Sequence, residues 1–218
     1  MSSPPPGPPA SALDLLFQDK RAIVDAALPP VVFVTVNAFA GLRPAAYVAI
    51  GLAVFFVLER IVRRQTVINA LGGVLGTGLA VFIALRTGSA EGYFVPRALQ
   101  NAGLAILFVG SVIIRKPLVA YAARAFFRHP AEWFEHASVR RPYAEVTLVF
   151  AALFALRAAI YTVLILLGEV GALGAAALVL GWPAFGLVLL WAWRWVPRRL
   201  AQLGAPEPAI PGPGGASA

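Results

Sequence analysis

The sequence predicts an all-α protein, a polytopic bundle of about six transmembrane helices with the N- and C-termini in the cytoplasm. Hydrophobic residues make up 60% of the 218 residues and charged residues only 13%, and the mean hydropathy is +0.79. A soluble domain carries about 25% charged residues, so this composition leaves too few charges to cover a water-exposed surface. The apolar residues also form runs long enough to cross a bilayer as helices, and basic residues concentrate between alternate runs.

The apolar runs predict one transmembrane domain, residues 12–200, between Pro-rich tails at 1–11 and 201–218 that are expected to be disordered. A helix rises about 1.5 Å per residue, so a crossing takes roughly 20 residues. The predicted spans are 28–40, 45–62, 67–85, 98–114, 146–168 and 170–193. Pro183 lies inside the sixth span and is expected to kink it.

The first two spans leave two alternatives open. They are separated by Gly41-Leu42-Arg43-Pro44, which is a turn signal. The uninterrupted apolar part of each is only about 20 Å long as a helix. They cross the membrane fully if flanking residues are drawn into the interface, and otherwise they form a re-entrant hairpin. The sequence favours two tilted spans, and the orientation of the later spans is the same in both cases.

The distribution of Lys and Arg predicts the orientation. Three arginines fall on one side of the predicted membrane, Arg43, Arg86 and Arg97. Fourteen basic residues fall on the other side: Lys20, Arg21, Arg60, Arg63, Arg64, Arg115, Lys116, Arg124, Arg128, Arg140, Arg141, Arg194, Arg198 and Arg199. Because this excess marks cytoplasmic loops, both termini are expected in the cytoplasm of a bacterium and the protein in its inner membrane. The net charge of +8 therefore indicates anionic lipid and no nucleic acid.

The longest loop, residues 117–143, is predicted to be cytoplasmic and to contain an amphipathic helix. Apolar residues recur at helical spacing, namely Leu118, Tyr121, Ala122, Ala125 and Phe126. Arg124 and Arg128 fall on another face, a pattern typical of a helix that lies on anionic lipid. The expected lipid contacts are Arg115, Lys116, Arg124 and Arg128. An ordinary cytoplasmic loop with a basic excess would carry the same charges.

The sequence contains no motif that indicates an enzyme. A phosphate-binding loop, a zinc-protease motif and a nucleophile elbow are all missing, so no catalytic residue and no cofactor is predicted. His129 and His136 stand near Glu132 and Glu135 in the long loop. Metal coordination needs three or four well-placed ligands, and this spacing does not predict a metal site.

Arg157 is the residue that most suggests a site, because it lies near the middle of the fifth span. An arginine at that depth costs about 2.5–3.5 kcal/mol even on the lenient insertion scale, so it normally faces the bundle interior and has a partner. The candidate intramembrane polar site is Arg157, Asn37, Thr77, Gln100, Asn101 and Tyr161. Two interpretations stay open: Arg157 closes a structural hydrogen-bond network or snorkels, or it contacts an anionic ligand.

Gly72 and Gly76 predict close helix packing. They lie four residues apart within the third apolar run, and small residues at that spacing let a neighbouring helix approach. The surrounding glycines resemble a nucleotide-binding fingerprint only superficially, since that motif joins a strand to a helix.

The chain resembles a known family through several segments in one order. They are Leu28-Pro29-Pro30-Val31-Val32-Phe33, the basic turn 60–64, the Gly-rich stretch 70–78, Arg115-Lys116-Pro117-Leu118-Val119 and Ala152–Arg157. Over about residues 20–197 they resemble the actinobacterial family called domain of unknown function 3159, and more distantly the intracellular septation protein A family. The first resemblance implies no known activity. The second implies a non-enzymatic inner-membrane protein of envelope organisation or division, acting through membrane or division proteins. The alternative is a small-solute or lipid transporter that uses Arg157.

Overall fold

The computed structural model describes residues 20–62, 68–127 and 130–207. Within these ranges the regular structure is entirely helical, with two 3₁₀ turns, Ala90–Phe94 and Glu132–Glu135. The α-helices are α1 Lys20–Ala40, α2 Leu42–Val62, α3 Ile68–Thr87, α4 Val95–Ile113, α5 Leu118–Phe127, α6 Ala137–Leu166, α7 Val170–Val179 and α8 Trp182–Gln202. This is the all-α architecture that the apolar runs predict. The predicted N-terminal tail, Arg128 and His129 lie outside the described residues.

Helices α1 and α2 form a tight hairpin joined by one residue. Each helix has 21 residues, about 31 Å at the usual rise, so each is long enough to cross the bilayer. Gly41 links them with φ +83°, a backbone conformation that glycine adopts without strain. The hairpin therefore turns at one residue, and Pro44 lies in the first turn of α2. Helix α2 contains a stretch long and apolar enough to cross a membrane, whereas the apolar part of α1, Leu28–Ala40, is shorter, so the choice between two spans and a re-entrant hairpin stays a prediction.

Four stretches of helix are long and apolar enough to cross a membrane: Leu42–Glu59, Ala90–Ile113, Ala137–Leu166 and Val170–Gln202. Leu28–Ala40 and Val74–Thr87 are apolar but shorter. Large apolar side chains point outward all along the bundle, and Phe39 is 90% exposed. Lipid, unlike water, accommodates such a surface, so the chain is a helical membrane protein. Its six crossings and its orientation stay predictions.

Buried apolar residues of the described helices form three clusters. Small residues of α2, among them Ala45, Ala46 and Ala49, are buried against neighbouring helices. Helices α4 and α6 run antiparallel and pack closely, and Phe108 of α4 contacts Phe150 and Phe154 of α6. These contacts hold α6 in the centre of the molecule, which is where Arg157 lies.

The last apolar run is broken into two helices, as Pro183 predicts. Helix α7 ends at Val179, and α8 begins at Trp182 with the proline in its first turn. Proline has no N–H to continue the ladder, and its ring clashes with the carbonyl four residues earlier. Helix α7 has only ten residues, about 15 Å, which is half the length that crossing a 30 Å hydrocarbon core requires.

The first residues of the predicted C-terminal tail pack against the protein. Helix α8 continues to Gln202, and the indole Nε1 of Trp133 donates a hydrogen bond to the carbonyl of Pro206 at 2.6 Å. The structure describes this segment as far as Glu207.

Candidate functional site

Arg157 is buried in the bundle, as its depth in the sequence suggests. It lies on α6, nine residues before the end of that helix at Leu166, about 14 Å along the helix axis. The residue is only 9% exposed. Its guanidinium carbon lies 5.7 Å from the centre of the Phe154 ring, a favourable distance for a cation over an aromatic face.

The partner of Arg157 is a backbone carbonyl at the helix break. Its Nη2 donates a hydrogen bond to the carbonyl oxygen of Gly181 at 2.7 Å, and the N–H of Phe185 donates to the same oxygen at 3.2 Å. The break places the C-terminal end of α7, which favours a positive charge, beside the N-terminal end of α8, which favours a negative one, so the two dipole effects oppose each other. The Gly181 carbonyl therefore accepts one hydrogen bond within α8 and a second one from Arg157.

The break needs a glycine at position 181. A Cβ atom there would lie 2.5 Å from the carbonyl oxygen of Ala177, closer than van der Waals contact allows. The carbonyl that Arg157 uses is therefore placed by the sequence Gly181-Trp182-Pro183, in which the glycine permits the close approach and the proline ends the ladder.

A second arginine shares this environment. Arg97, in the first turn of α4, interacts electrostatically with both Arg157 and Tyr161. Tyr161 lies one turn after Arg157 on α6 and is 1% exposed. The buried Asn101 donates its side-chain N–H to the carbonyl of Arg97 at 2.7 Å. We call Arg97, Arg157, Tyr161 and the Gly181 carbonyl the arginine site.

The electrostatics of the arginine site are unbalanced toward positive charge. Within the described part of the chain, no carboxylate forms an ion pair with Arg97 or Arg157. The Nε of Arg157 is buried and has no hydrogen-bond partner there. A buried donor without a partner is costly, and two arginines repel each other. The arrangement suits an acceptor with negative charge, such as a phosphate or carboxylate oxygen.

The other candidate polar residues separate into two groups. Asn101 and Tyr161 lie with Arg157 as described, whereas Thr77 of α3 lies near the Tyr93 hydroxyl and forms no hydrogen bond with Arg157 among the described residues. Asn37 is half-buried near the end of α1 and Gln100 is exposed; among the described residues neither hydrogen bonds with Arg157. Tyr93 itself stacks on Phe33 with ring centres 4.1 Å apart.

Gly76, one of the two glycines predicted for helix packing, has no neighbouring helix against it among the described residues. Gly76 is exposed, and a Cβ atom there would have nothing within 4 Å. The structure does not describe the surroundings of Gly72. Close approach occurs instead at Gly174, whose Cβ position lies 3.0 Å from the Val34 side chain. Packing at Gly76 remains a prediction about another chain.

Sequence reasoning missed a second polar network at the opposite end of α6. Glu145 accepts hydrogen bonds from the Trp195 indole at 3.2 Å and from Arg199 at 3.3 Å, with both charged residues about one third exposed. The indole N–H of Trp195 thus has a carboxylate as its hydrogen-bond acceptor. No sequence signal couples Glu145 to residues fifty positions away.

The described ranges contain no group of three or more His, Asp or Glu that could hold a metal ion. His136 precedes α6 and is exposed, whereas His129 lies outside these ranges. The chemistry that the structure assembles is therefore that of the arginine site, a donor-rich and positively charged environment at membrane depth.

These features define a class of protein, a helical membrane protein with a buried arginine at a broken helix. The chain belongs to the family described as protein of unknown function, domain of unknown function 3159, which matches residues 19–203. This confirms the resemblance to that family. No curated protein and no solved structure matches the chain.

Proposed function

We propose that the protein binds an anionic ligand inside the membrane at the arginine site, in the manner of a small-solute or lipid transporter. The observation that carries the proposal is the buried Nε of Arg157, which has no hydrogen-bond partner in the described chain. A guanidinium presents parallel N–H groups that match the two oxygens of a phosphate or carboxylate. The ligand class is therefore an anion with at least two such oxygens.

Charge supports the same conclusion. Arg97 and Arg157 interact with each other unfavourably, and the neutral carbonyl of Gly181 compensates only part of one charge. The N-terminal end of α8 begins at the same break, and a helix N-terminus favours negative charge. An anion between these groups would relieve the repulsion and accept from the free Nε.

The broken helix supports movement of such a ligand. Non-helical backbone at membrane depth occurs where it is buried in protein or lines a cavity, and transporters place their binding sites at broken helices near the bilayer midplane. Here Leu180 and Gly181 separate two helices of one apolar run. A change in the backbone conformation of Leu180 and Gly181 would move α7 relative to α8 and alter the access of a ligand to Arg157.

The test is ligand-dependent stabilisation of the full-length protein. The melting temperature is measured in neutral detergent with increasing inorganic phosphate or succinate, and separately in nanodiscs of phosphatidylcholine with and without phosphatidylglycerol. A ligand that binds only the folded state raises the melting temperature. Arg157→Gln removes the positive charge, whereas Arg157→Lys keeps the charge but lacks the planar guanidinium group. Arg86→Gln is the control, because Arg86 is an exposed arginine.

We expect an anion to raise the melting temperature of the wild-type protein and of Arg86→Gln, to do so less for Arg157→Lys, and not for Arg157→Gln. A response to phosphate or succinate in detergent assigns a free solute, whereas a response only to phosphatidylglycerol assigns a lipid headgroup. An equal response in Arg157→Gln and wild type, or no response to any of these anions, would overturn the proposal.

A role in envelope organisation is the second candidate, because one helix face is free for a partner. Gly76 is exposed and no described residue lies within 4 Å of its Cβ position, and with Gly72 it has the spacing that lets another helix approach. A non-enzymatic inner-membrane protein that acts in division or envelope upkeep would use such a face to hold a membrane partner. The distant resemblance to the septation family motivates this candidate.

A further inference from the structure

Helix α5 is apolar on two opposite faces, and the described residues cover only one of them. Its inner face, formed by Ala120 and Ala123, is buried in a cluster with Trp133 and Tyr143. Its outer face carries Tyr121, which is 47% exposed, and its flank carries Phe126, which is 60% exposed. The apolar spacing that the sequence shows in this loop thus belongs largely to the uncovered side.

The position of α5 relative to the bundle places it at the membrane surface. Helix α6 has 30 residues, about 45 Å, which exceeds a hydrocarbon core of about 30 Å by several turns. Helix α5 packs against the N-terminal part of α6, where the N–H of Val119 donates to Thr147 Oγ1 at 3.4 Å. Its first residue is also held to the end of α4 by the Ser111 hydroxyl, at 3.2 Å from the N–H of Leu118.

The C-terminal end of α5 contacts α8 through Phe127, which lies one turn after Ala123 on the inner face. The rings of Phe127 and Trp193 lie 5.9 Å apart, and Trp193 is 48% exposed. Tryptophan and tyrosine are enriched at the headgroup level of a bilayer. Tyr121 of α5 and Trp193 of α8 are therefore exposed aromatic side chains of the type found at that level.

The charges around the outer face of α5 are mainly positive. Arg115, Lys116 and Arg124 are exposed beside or on α5, and the turn that holds Arg115 projects it with φ +59°. Exposed acids are also present, namely Glu132 and Glu135 on the 3₁₀ turn that follows α5 and Glu207 next to Pro206. An apolar surface bordered by basic side chains matches an anionic leaflet, in which acyl chains meet negative headgroups.

We propose that α5 lies in the headgroup region of the membrane, with Tyr121 and Phe126 inserted toward the acyl chains and Arg115, Lys116 and Arg124 binding anionic phospholipid headgroups. The predicted contact Arg128 lies outside the described residues. This inference is independent of the arginine site, since it uses different residues and survives if that site binds no anion.

The depth of α5 is measurable because the chain has no cysteine. Single cysteines replace Phe126, Tyr121 and, as the water-exposed control, Glu135 in the full-length protein in nanodiscs that contain phosphatidylglycerol. Each carries a spin label, and its accessibility to oxygen and to a water-soluble nickel complex is recorded. We expect labels at 121 and 126 to favour oxygen and the label at 135 to favour nickel. Equal nickel accessibility at all three positions would overturn the insertion.

Lipid recognition is tested with matched double variants. Arg115→Gln with Arg124→Gln removes two charges beside α5, whereas Arg43→Gln with Arg86→Gln removes two exposed charges elsewhere. Retention of phosphatidylglycerol is measured by native mass spectrometry during detergent washing. We expect roughly fivefold weaker retention for each arginine lost beside α5 and little change in the control. Equal retention of phosphatidylglycerol in both double variants would overturn the lipid assignment. It would also be overturned if the label at position 126 were protected from nickel only in dimeric particles, because a second copy of the chain would then cover α5.

Discussion

Replacing Arg157 with leucine tests whether the chain itself fully compensates this buried charge. The substitution removes the 2.7 Å hydrogen bond to the Gly181 carbonyl, and a hydrogen bond to a charged group contributes about 1.5–3 kcal/mol. It also removes the contact with the Phe154 ring, which contributes about 0.5–2 kcal/mol, whereas the dipole effects of the adjoining ends of α7 and α8 oppose each other.

The same substitution relieves the cost of placing a charge in the membrane. That cost is about 2.5–3.5 kcal/mol on the insertion scale. The Gly181 carbonyl keeps a partner, because the N–H of Phe185 donates to it at 3.2 Å. The lost interactions and the relieved cost are similar in size, so we expect Arg157→Leu to lower the free energy of unfolding by only about 1–2 kcal/mol.

The assay is equilibrium unfolding of the full-length protein in mixed micelles with rising dodecyl sulfate, followed by circular dichroism. Arg86→Leu is the matched control, because Arg86 lies 5.6 Å from the Phe82 ring but is exposed. It should change the free energy of unfolding by less than about 1 kcal/mol. If Arg157→Leu alone lowered the free energy of unfolding by more than about 4 kcal/mol, contacts within the chain would outweigh the cost of placing the charge in the membrane. The charge of Arg157 would then require no anionic ligand to compensate it.

Two further substitutions test the helix break and the uncovered helix face. Gly181→Ala should lower both the melting temperature and its increase with anion, because the added Cβ meets the Ala177 carbonyl. Gly186→Ala is the control and should leave both quantities unchanged, since its Cβ meets nothing within 4 Å. Equal effects of the two substitutions in thermal unfolding would contradict this account of the break. Gly76→Leu and Gly103→Leu both have open space within the chain, so neither should lower its stability. If α3 binds a membrane partner, Gly76→Leu but not Gly103→Leu should reduce crosslinking of the protein to that partner in native membranes. Equal crosslinking of the two variants would exclude the Gly76 face of α3 as the binding surface.

The local predictions that were confirmed depend on chemistry within one segment. The apolar runs predict helices because apolar length and helical rise together fix what crosses a membrane. Pro183 predicts a break because the missing N–H and the ring clash act within one turn. Gly41 similarly marks the turn between the first two helices, although the turn takes one residue where the sequence suggests four.

The components of the arginine site were only partly predictable. Arg157 is identifiable from the cost of its charge at that depth, and Asn101 and Tyr161 from their polarity. Its actual hydrogen-bond partner is a backbone carbonyl, and every residue has one, so no side-chain pattern selects Gly181. Arg97 looks like an extramembrane charge in the sequence, but the antiparallel packing of α4 on α6 brings it into the electrostatic environment of Arg157.

The sequence by itself determines that this is an all-helical membrane protein with a buried arginine, because hydropathy, charge and helical periodicity are properties of neighbouring residues. The tertiary structure alone decides which groups meet across helices: Arg157 with Gly181, Glu145 with Arg199, and the inner face of α5 with Trp133. It also decides that the described residues leave Gly76 uncovered. The physical reason is that the rotation of a helix and the neighbour it packs against depend on the fit of whole side-chain surfaces, which no local pattern contains.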